Sequence, residues 1–172
     1  MAFVVEDGSI VVDANSYASV AAADSYHSDR GNVAWGSLDT TGKQQALVKA
    51  TDYIDQRFGG RFLGYRIELN QSLSWPRVCT IYERDEIPIK LKYAAFEYAL
   101  RASAKPLAPD ILISDSGVVM MTTRMKAGPV EQAFAPSGGS SLASTVYLLR
   151  PYPAADMYLR DLVAPGGNQV IR

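Results

Sequence analysis

The chain has 172 residues, 48% hydrophobic and 20% charged, with a net charge of −1, which is ample for one domain with a substantial core. That balance argues against a general affinity for nucleic acid, which shows as a basic surplus. The single cysteine, Cys79, excludes an intrachain disulfide and a zinc site built on several thiolates.

The opening MAFVVEDGS has no basic stretch ahead of an apolar one, and no run approaches the ~18 apolar residues of a membrane span. A soluble protein made in the cytoplasm is the expectation. Residues 3–5 and Val11–Val12 read as short strands around the turn EDGS. Ser19 is placed to cap a first helix, SVAAADSYHSDRG, that ends at Gly31. Trp35 falls in a loop. Thr40 or Thr41 is placed to cap a second helix over 42–58, with Leu47, Ala50, Ile54 and Phe58 as its apolar stripe and Ala46 and Tyr53 widening it. After Gly59 and Gly60 comes a loop with one extended piece at Tyr65–Leu69, and then SLSWPR, where Pro76 holds Trp75 out of the helical region.

The strongest helix signal follows. Pro88 suits a first helical position, and Asp85 and Glu86 precede it where the helix dipole favours acids. Leu91, Ala94, Ala95, Tyr98 and Ala102 form one apolar stripe, and Phe96, Ala99 and Leu100 a second. A helix apolar on two sides is central in its domain or shared with a neighbouring subunit. KPLAPD then breaks the chain, and residues 111–113 read as a short strand. Val118–Lys126 and Val130–Phe134 read as a hairpin around KAGP, which needs a partner sheet or subunit for stability. PSGGSS (136–141) reads as a flexible linker. A last helical region broken at Pro151 and Pro153 has its second piece around Ala154–Ala164, and the tail PGGNQVIR is expected to order only on a partner. The predicted fold is mainly α: a small helical bundle with a β-hairpin arm and a C-terminal tail. Residues 1–105 form its core, 106–136 the linker and hairpin, and 137–172 the last helix and tail, as one domain overall.

The sequence lacks the signatures of an active site. There is no GxSxG elbow, GxxxxGK[ST] loop or HExxH pair. The lone histidine, His27, reads as packed or exposed, and Cys79 as incidental. Asp52 and Asp55 read as a solvated face, and Asp85 and Glu86 as caps. No catalytic residue, metal or cofactor is expected. One run leaves an alternative open: Arg57, Phe58, Arg61, Phe62, Tyr65 and Arg66 interleave bases and rings with glycines, a pattern that suits phosphates and stacked bases. The competing reading has the rings closing over the bundle and the arginines facing solvent.

Several motifs occur in a fixed order: VVEDG, the Asn15–Trp35 run NSYASVAAADSYHSDRGNVAW, ALVKATDYID (46–55), RFGGRFLGYR (57–66), QSLSWPR (71–77) and EIP (86–88). Together they resemble the head-tail connector, or adaptor, proteins of tailed bacteriophages, a sequence type also labelled DnaT-like single-stranded-DNA-binding protein. The likeness is strong over residues 3–105 and looser through KAGPVE (126–131) and the Pro151–Pro153 turn. It implies a structural virion protein, not an enzyme: a ring of about twelve copies beneath the portal. The implied partners are the portal protein, neighbouring adaptor subunits, a downstream tail or nozzle protein, and the double-stranded DNA that passes through the channel on ejection, with no membrane. Under that resemblance Tyr158, Leu162, Gln169, Val170, Ile171 and Arg172 are the expected portal contacts, and Phe96, Leu100, Met121 and Met125 the expected subunit contacts. The alternative, a single-stranded-DNA-binding module, rests on Arg57, Phe58, Arg61, Phe62, Tyr65 and Arg66.

Overall fold

In a computed structural model, which describes residues 2–108, 124–127, 130–133 and 152–164, α1 (Val20–Asp29) begins where Ser19 Oγ accepts the Ala22 N–H at 3.2 Å. Satisfying that free donor fixes the start of the helix. Its end passes through Gly31 at φ 65°, a left-handed turn that glycine adopts without strain. A single turn, α2 (Val33–Gly36), follows and carries Trp35, which was expected in a loop. α3 (Thr40–Phe58) is capped by Asp39, not Thr40 or Thr41: its carboxylate accepts the Gly42 N–H at 3.0 Å. The charge of Asp39 also suits the positive helix end, which is why the helix starts two residues earlier than expected.

The expected N-terminal strands reduce to one bridge, Val5 to Ser16. The turn after it is organised by Glu6, a buried carboxylate that accepts the N–H groups of Gly8, Ile10 and Val11 at 2.8–3.1 Å. Local backbone donors take the place of a strand ladder there.

α4 (Ile89–Ala104) packs against α3, α1 and α5 (Pro153–Leu159). Its two apolar stripes are both used inside the chain. Leu91, Ala94, Ala95, Phe96, Tyr98 and Ala99 are buried, and Leu100 and Ala102 are partly buried against the same core. Ala94, Ala95 and Ala99 face a core to which α3 adds Ala46 and Ala50; small side chains let helix backbones come close. The excess apolar surface of α4 therefore belongs to a central helix. Pro88, expected at the first helical position, is instead the N-cap, with ψ 135°, and the helix starts one residue later at Ile89. α5 ends at Leu159, short of Ala164, and Leu162 and Val163 return to the core in the turn after it.

Between α3 and α4 lies a lobe built on β1 (Tyr65–Arg66) and β2 (Arg77–Val78), paired antiparallel with Tyr65 opposite Val78. The Trp75–Pro76 peptide bond is cis. Gly64, at φ 72°, lies so close to the Val78 carbonyl that any Cβ would collide with it. The lobe is tied to the residues after α5: Leu63 N–H donates to the Leu162 carbonyl at 2.9 Å, and Ala164 N–H to that of Arg61 at 2.8 Å.

Two compact units are present, one formed by Met1–Leu107 with Arg150–Arg172, the other by Ala108–Leu149. In the second, β3 (Arg124–Ala127) and β4 (Val130–Ala133) form an antiparallel hairpin with Lys126 opposite Glu131. The expected strand at 111–113, the hairpin residues before 124, the 136–141 linker, the first piece of the last helical region and the 165–172 tail lie outside the described residues. In the first unit, Tyr152 Oη donates to the Leu107 carbonyl at 3.0 Å, so the chain departs and returns at adjacent points.

Candidate functional site

The basic-aromatic run leaves α3 and enters the lobe, and it divides into two sets. Phe58 and Phe62 are 7% and 5% exposed; Phe62 meets Trp75 edge-on with ring centroids 6.0 Å apart. Neither ring can stack a base. Arg57 joins α3 to α5: it donates to Tyr53 Oη at 2.8 Å and pairs with Asp156 at 3.4 Å. Asp156 also accepts the Tyr98 hydroxyl and the Tyr152 N–H, so it ties α3, α4 and the start of α5 together. Arg61, Tyr65 and Arg66 are exposed. Arg61 gives one bond to the Ala164 carbonyl at 3.4 Å and Arg66 one to Ser74 Oγ at 3.2 Å. Half of the proposed nucleic-acid surface is thus consumed by the fold, and half faces water.

Sequence reasoning missed the group that shapes this lobe. Arg77 is 7% exposed and donates to the carbonyls of Leu63, Ser74, Phe62 and Gly64 at 2.7–3.3 Å. A guanidinium fork suits several converging carbonyls. Gln71 does the complementary work: its Oε1 accepts the N–H groups of Ile67 and Glu68, and its Nε2 donates to Leu73 and Pro76. Asp55 was read as part of a solvated face. It instead accepts the Tyr17 hydroxyl and, at 2.8 Å, the Ser74 N–H. Burial pushes its carboxyl pKa up, against the hydrogen bonds of Tyr17 and Ser74; Tyr17 is driven up as well, by burial and by Asp55. The only available sequence signal was the polar residue itself within an apolar stripe, which does not announce a partner nineteen residues away.

The expected contact residues fall in several places. Phe96 (2% exposed) and Leu162 (1%) are core residues, leaving no surface for a neighbour or a portal. Leu100 packs partly buried against the core. Tyr158 is half-buried, edge-on to Tyr93 and within 3.3 Å of the Tyr26 hydroxyl. Met125 lies on β3, and Met121, Gln169, Val170, Ile171 and Arg172 lie outside the described residues.

His27 is 1% exposed, its Nδ1 3.0 Å from Asn32 Nδ2 and its ring 4.6 Å from that of Trp35. Burial lowers its pKa, as suits a neutral packed imidazole. Cys79 is exposed. Among the described residues no cluster of His, Cys, Asp or Glu is placed to hold a metal, and no helix is long and apolar enough to cross a membrane. What the surface does carry is exposed apolar side chains: Leu63, Tyr65, Leu69 and Ile81 around the lobe, and Met157 on α5. Met157 borders a groove of about 330 Å³ lined by Phe58, Leu159 and Val163.

Against known families, the model described as "Putative DnaT-like ssDNA binding protein" matches residues 1–172. No curated protein and no solved structure matches the chain.

Proposed function

The chain belongs to the family described as "Putative DnaT-like ssDNA binding protein", and within that family we propose that it is a structural virion subunit, a head-tail adaptor assembled as a ring beneath the portal of a tailed phage. The observation that carries this reading is the closed excursion of the chain. A helical unit with its own core is interrupted by Ala108–Leu149, and the Tyr152–Leu107 hydrogen bond joins the two points of interruption. The inserted unit contains a hairpin, and a two-stranded hairpin gains stability from a partner. An insertion that leaves the helical core closed at its two ends is what a ring subunit needs to reach a neighbour without opening that core. Exposed Leu69, Ile81 and Met157 support the same reading, as does the resemblance carried by the ordered N-terminal motifs. In this role the protein contacts the portal, its own neighbours, a downstream tail protein and the DNA that passes through the channel.

The test is to mix the purified chain with the portal protein of the same phage and image the product by negative-stain electron microscopy. A ring of density added beneath the portal is expected. Portal particles unchanged at a large excess of the chain would overturn the reading.

A second reading, a single-stranded-DNA-binding module, is favoured by the family description and by the exposed Arg61, Tyr65 and Arg66. It predicts oligonucleotide binding that weakens steeply with salt and is lost in Arg61→Ala with Arg66→Ala. Fluorescence anisotropy with a labelled oligonucleotide at low salt decides it, and no binding there removes it.

A further inference from the structure

The groove beside α5 has an apolar floor and a cationic rim. Phe58, Leu159 and Val163 line it, and Met157, 75% exposed, stands at its lip. Arg61 and Arg160 are both exposed along its edge. Asp156, the one acid among the described lining residues, already receives Arg57, the Tyr98 hydroxyl and the Tyr152 N–H. Among the described residues Arg61 gives one bond, to the Ala164 carbonyl, out of the five donors of a guanidinium fork. An occupant that matches this surface carries an apolar anchor next to acids.

The chain presents such a segment between β2 and α4. Ile81 is 88% exposed. Glu83, Asp85 and Glu86 follow it, all exposed, with Arg84 as the single base among them. The segment is anchored at its base: Tyr82 lies edge-on to the buried Trp75 with centroids 6.0 Å apart, and Glu86 N–H closes a turn onto the Glu83 carbonyl at 3.4 Å. A held backbone with a protruding isoleucine loses little further entropy on docking. Within its own subunit Ile81 is left in water, so its own groove does not receive it.

From this complementarity the geometry points to a head-to-tail contact in which the Ile81–Glu86 segment of one copy seats on the α5 groove of the next, with Ile81 against the exposed Met157 at its lip and the acids against Arg61 and Arg160. The two patches share no residue, and in a head-to-tail arrangement each copy keeps one donor and one acceptor patch. Repetition closes into a ring when the rotation allows. The inference rests on the adaptor reading and names the contact that builds its ring.

Two experiments on the full chain test it. In a Cys79→Ser background, one chain carries Ile81→Cys and another Met157→Cys. Mixed under mild oxidation, they are expected to give the mixed disulfide well in excess of either homodimer; equal or lower yield overturns the contact. Charge reversal supplies the second test. Arg61→Glu/Arg160→Glu gives a chain acidic on both faces, and Glu83→Arg/Asp85→Arg one basic on both. In sedimentation velocity each alone is expected to self-associate about tenfold or more weakly than the wild type, and an equimolar mixture to recover wild-type association, because alternating copies restore opposite charges at every contact. A mixture that stays dissociated, or a wild-type chain that remains monomeric together with no mixed disulfide from the two cysteine variants, overturns the proposal. A ring under the portal without the mixed disulfide retains the adaptor and removes this interface. The disulfide without a portal ring retains the interface and removes the adaptor.

Discussion

Arg77 is a buried cation whose hydrogen bonds end on four backbone carbonyls of the lobe it belongs to. Those carbonyls have no ladder to satisfy them, and each one left unpaired in the interior is costly. Arg77→Met is therefore expected to destabilise the chain by about 2–4 kcal/mol, read as a lower urea midpoint, with faster amide exchange over residues 62–78. Arg77→Lys is expected to recover little, because an ammonium with three donors cannot span four carbonyls. His27 supplies a prediction with a defined sign. Burial lowers its folded pKa, aided by Arg30 and opposed by Glu97 and Asp24. The folded state then binds fewer protons than the unfolded state, so stability rises with pH through the window below the ordinary histidine value and falls on acidification. The contribution is at most about 1.4 kcal/mol per pH unit. His27→Gln removes it. The stability advantage of the wild type over this variant is expected to narrow between pH 7.5 and pH 5 in chemical denaturation, and a constant gap would show that His27 is not held neutral.

At the scale of elements, α4 decides how the rest is arranged. Its two stripes were plain in the sequence because a 3.6-residue period marks apolar faces directly. The period does not say what covers a face. α5 arrives from about fifty residues further along the chain, and α1 from sixty residues before, so Phe96 could be assigned equally to a core or to a neighbour until their packing was seen. The stripe of α3 was legible for the same reason, including Leu47, Ala50, Ile54 and Phe58, while its Asp39 cap competed with two threonines one and two places on. The lobe between α3 and α4 was not legible. Its form depends on Arg77, Gln71 and Asp55 bonding to backbone groups, and such bonds leave no periodic trace. The difference between core and interface is measurable on the isolated chain. Phe96→Ala is expected to cost about 3–5 kcal/mol in denaturant unfolding at a protein concentration where the chain is monomeric. A subunit contact would leave the monomer's stability unchanged.

For the whole molecule, family membership and mechanism point in different directions at particular residues. The family description names single-stranded DNA, yet Phe58 and Phe62 lie in the core and Arg57 is engaged with Asp156. What remains for a partner is the exposed apolar and charged surface of the helical unit, together with the inserted unit. These two can be separated by experiment because the chain leaves and re-enters the helical unit at residues joined by the Tyr152–Leu107 bond. Leu107 and Tyr152 are themselves buried in that unit, 6% and 8% exposed, and α5 beyond them completes the packing of α4. Among the described residues, every buried side chain of that core lies in Met1–Leu107 or Arg150–Arg172. Replacing Ala108–Leu149 with a four-residue Gly-Ser linker is therefore expected to preserve the helical circular-dichroism signal and a cooperative transition. Shortening the closed loop lowers the entropy of the unfolded chain, which adds up to about 2 kcal/mol to stability. If the inserted unit is the arm of a ring subunit, the shortened protein folds but no longer adds density beneath the portal. A shortened chain that fails to fold would make the inserted unit part of the core. One that folds and still forms the ring would move the whole burden of assembly onto the helical unit and its α5 groove.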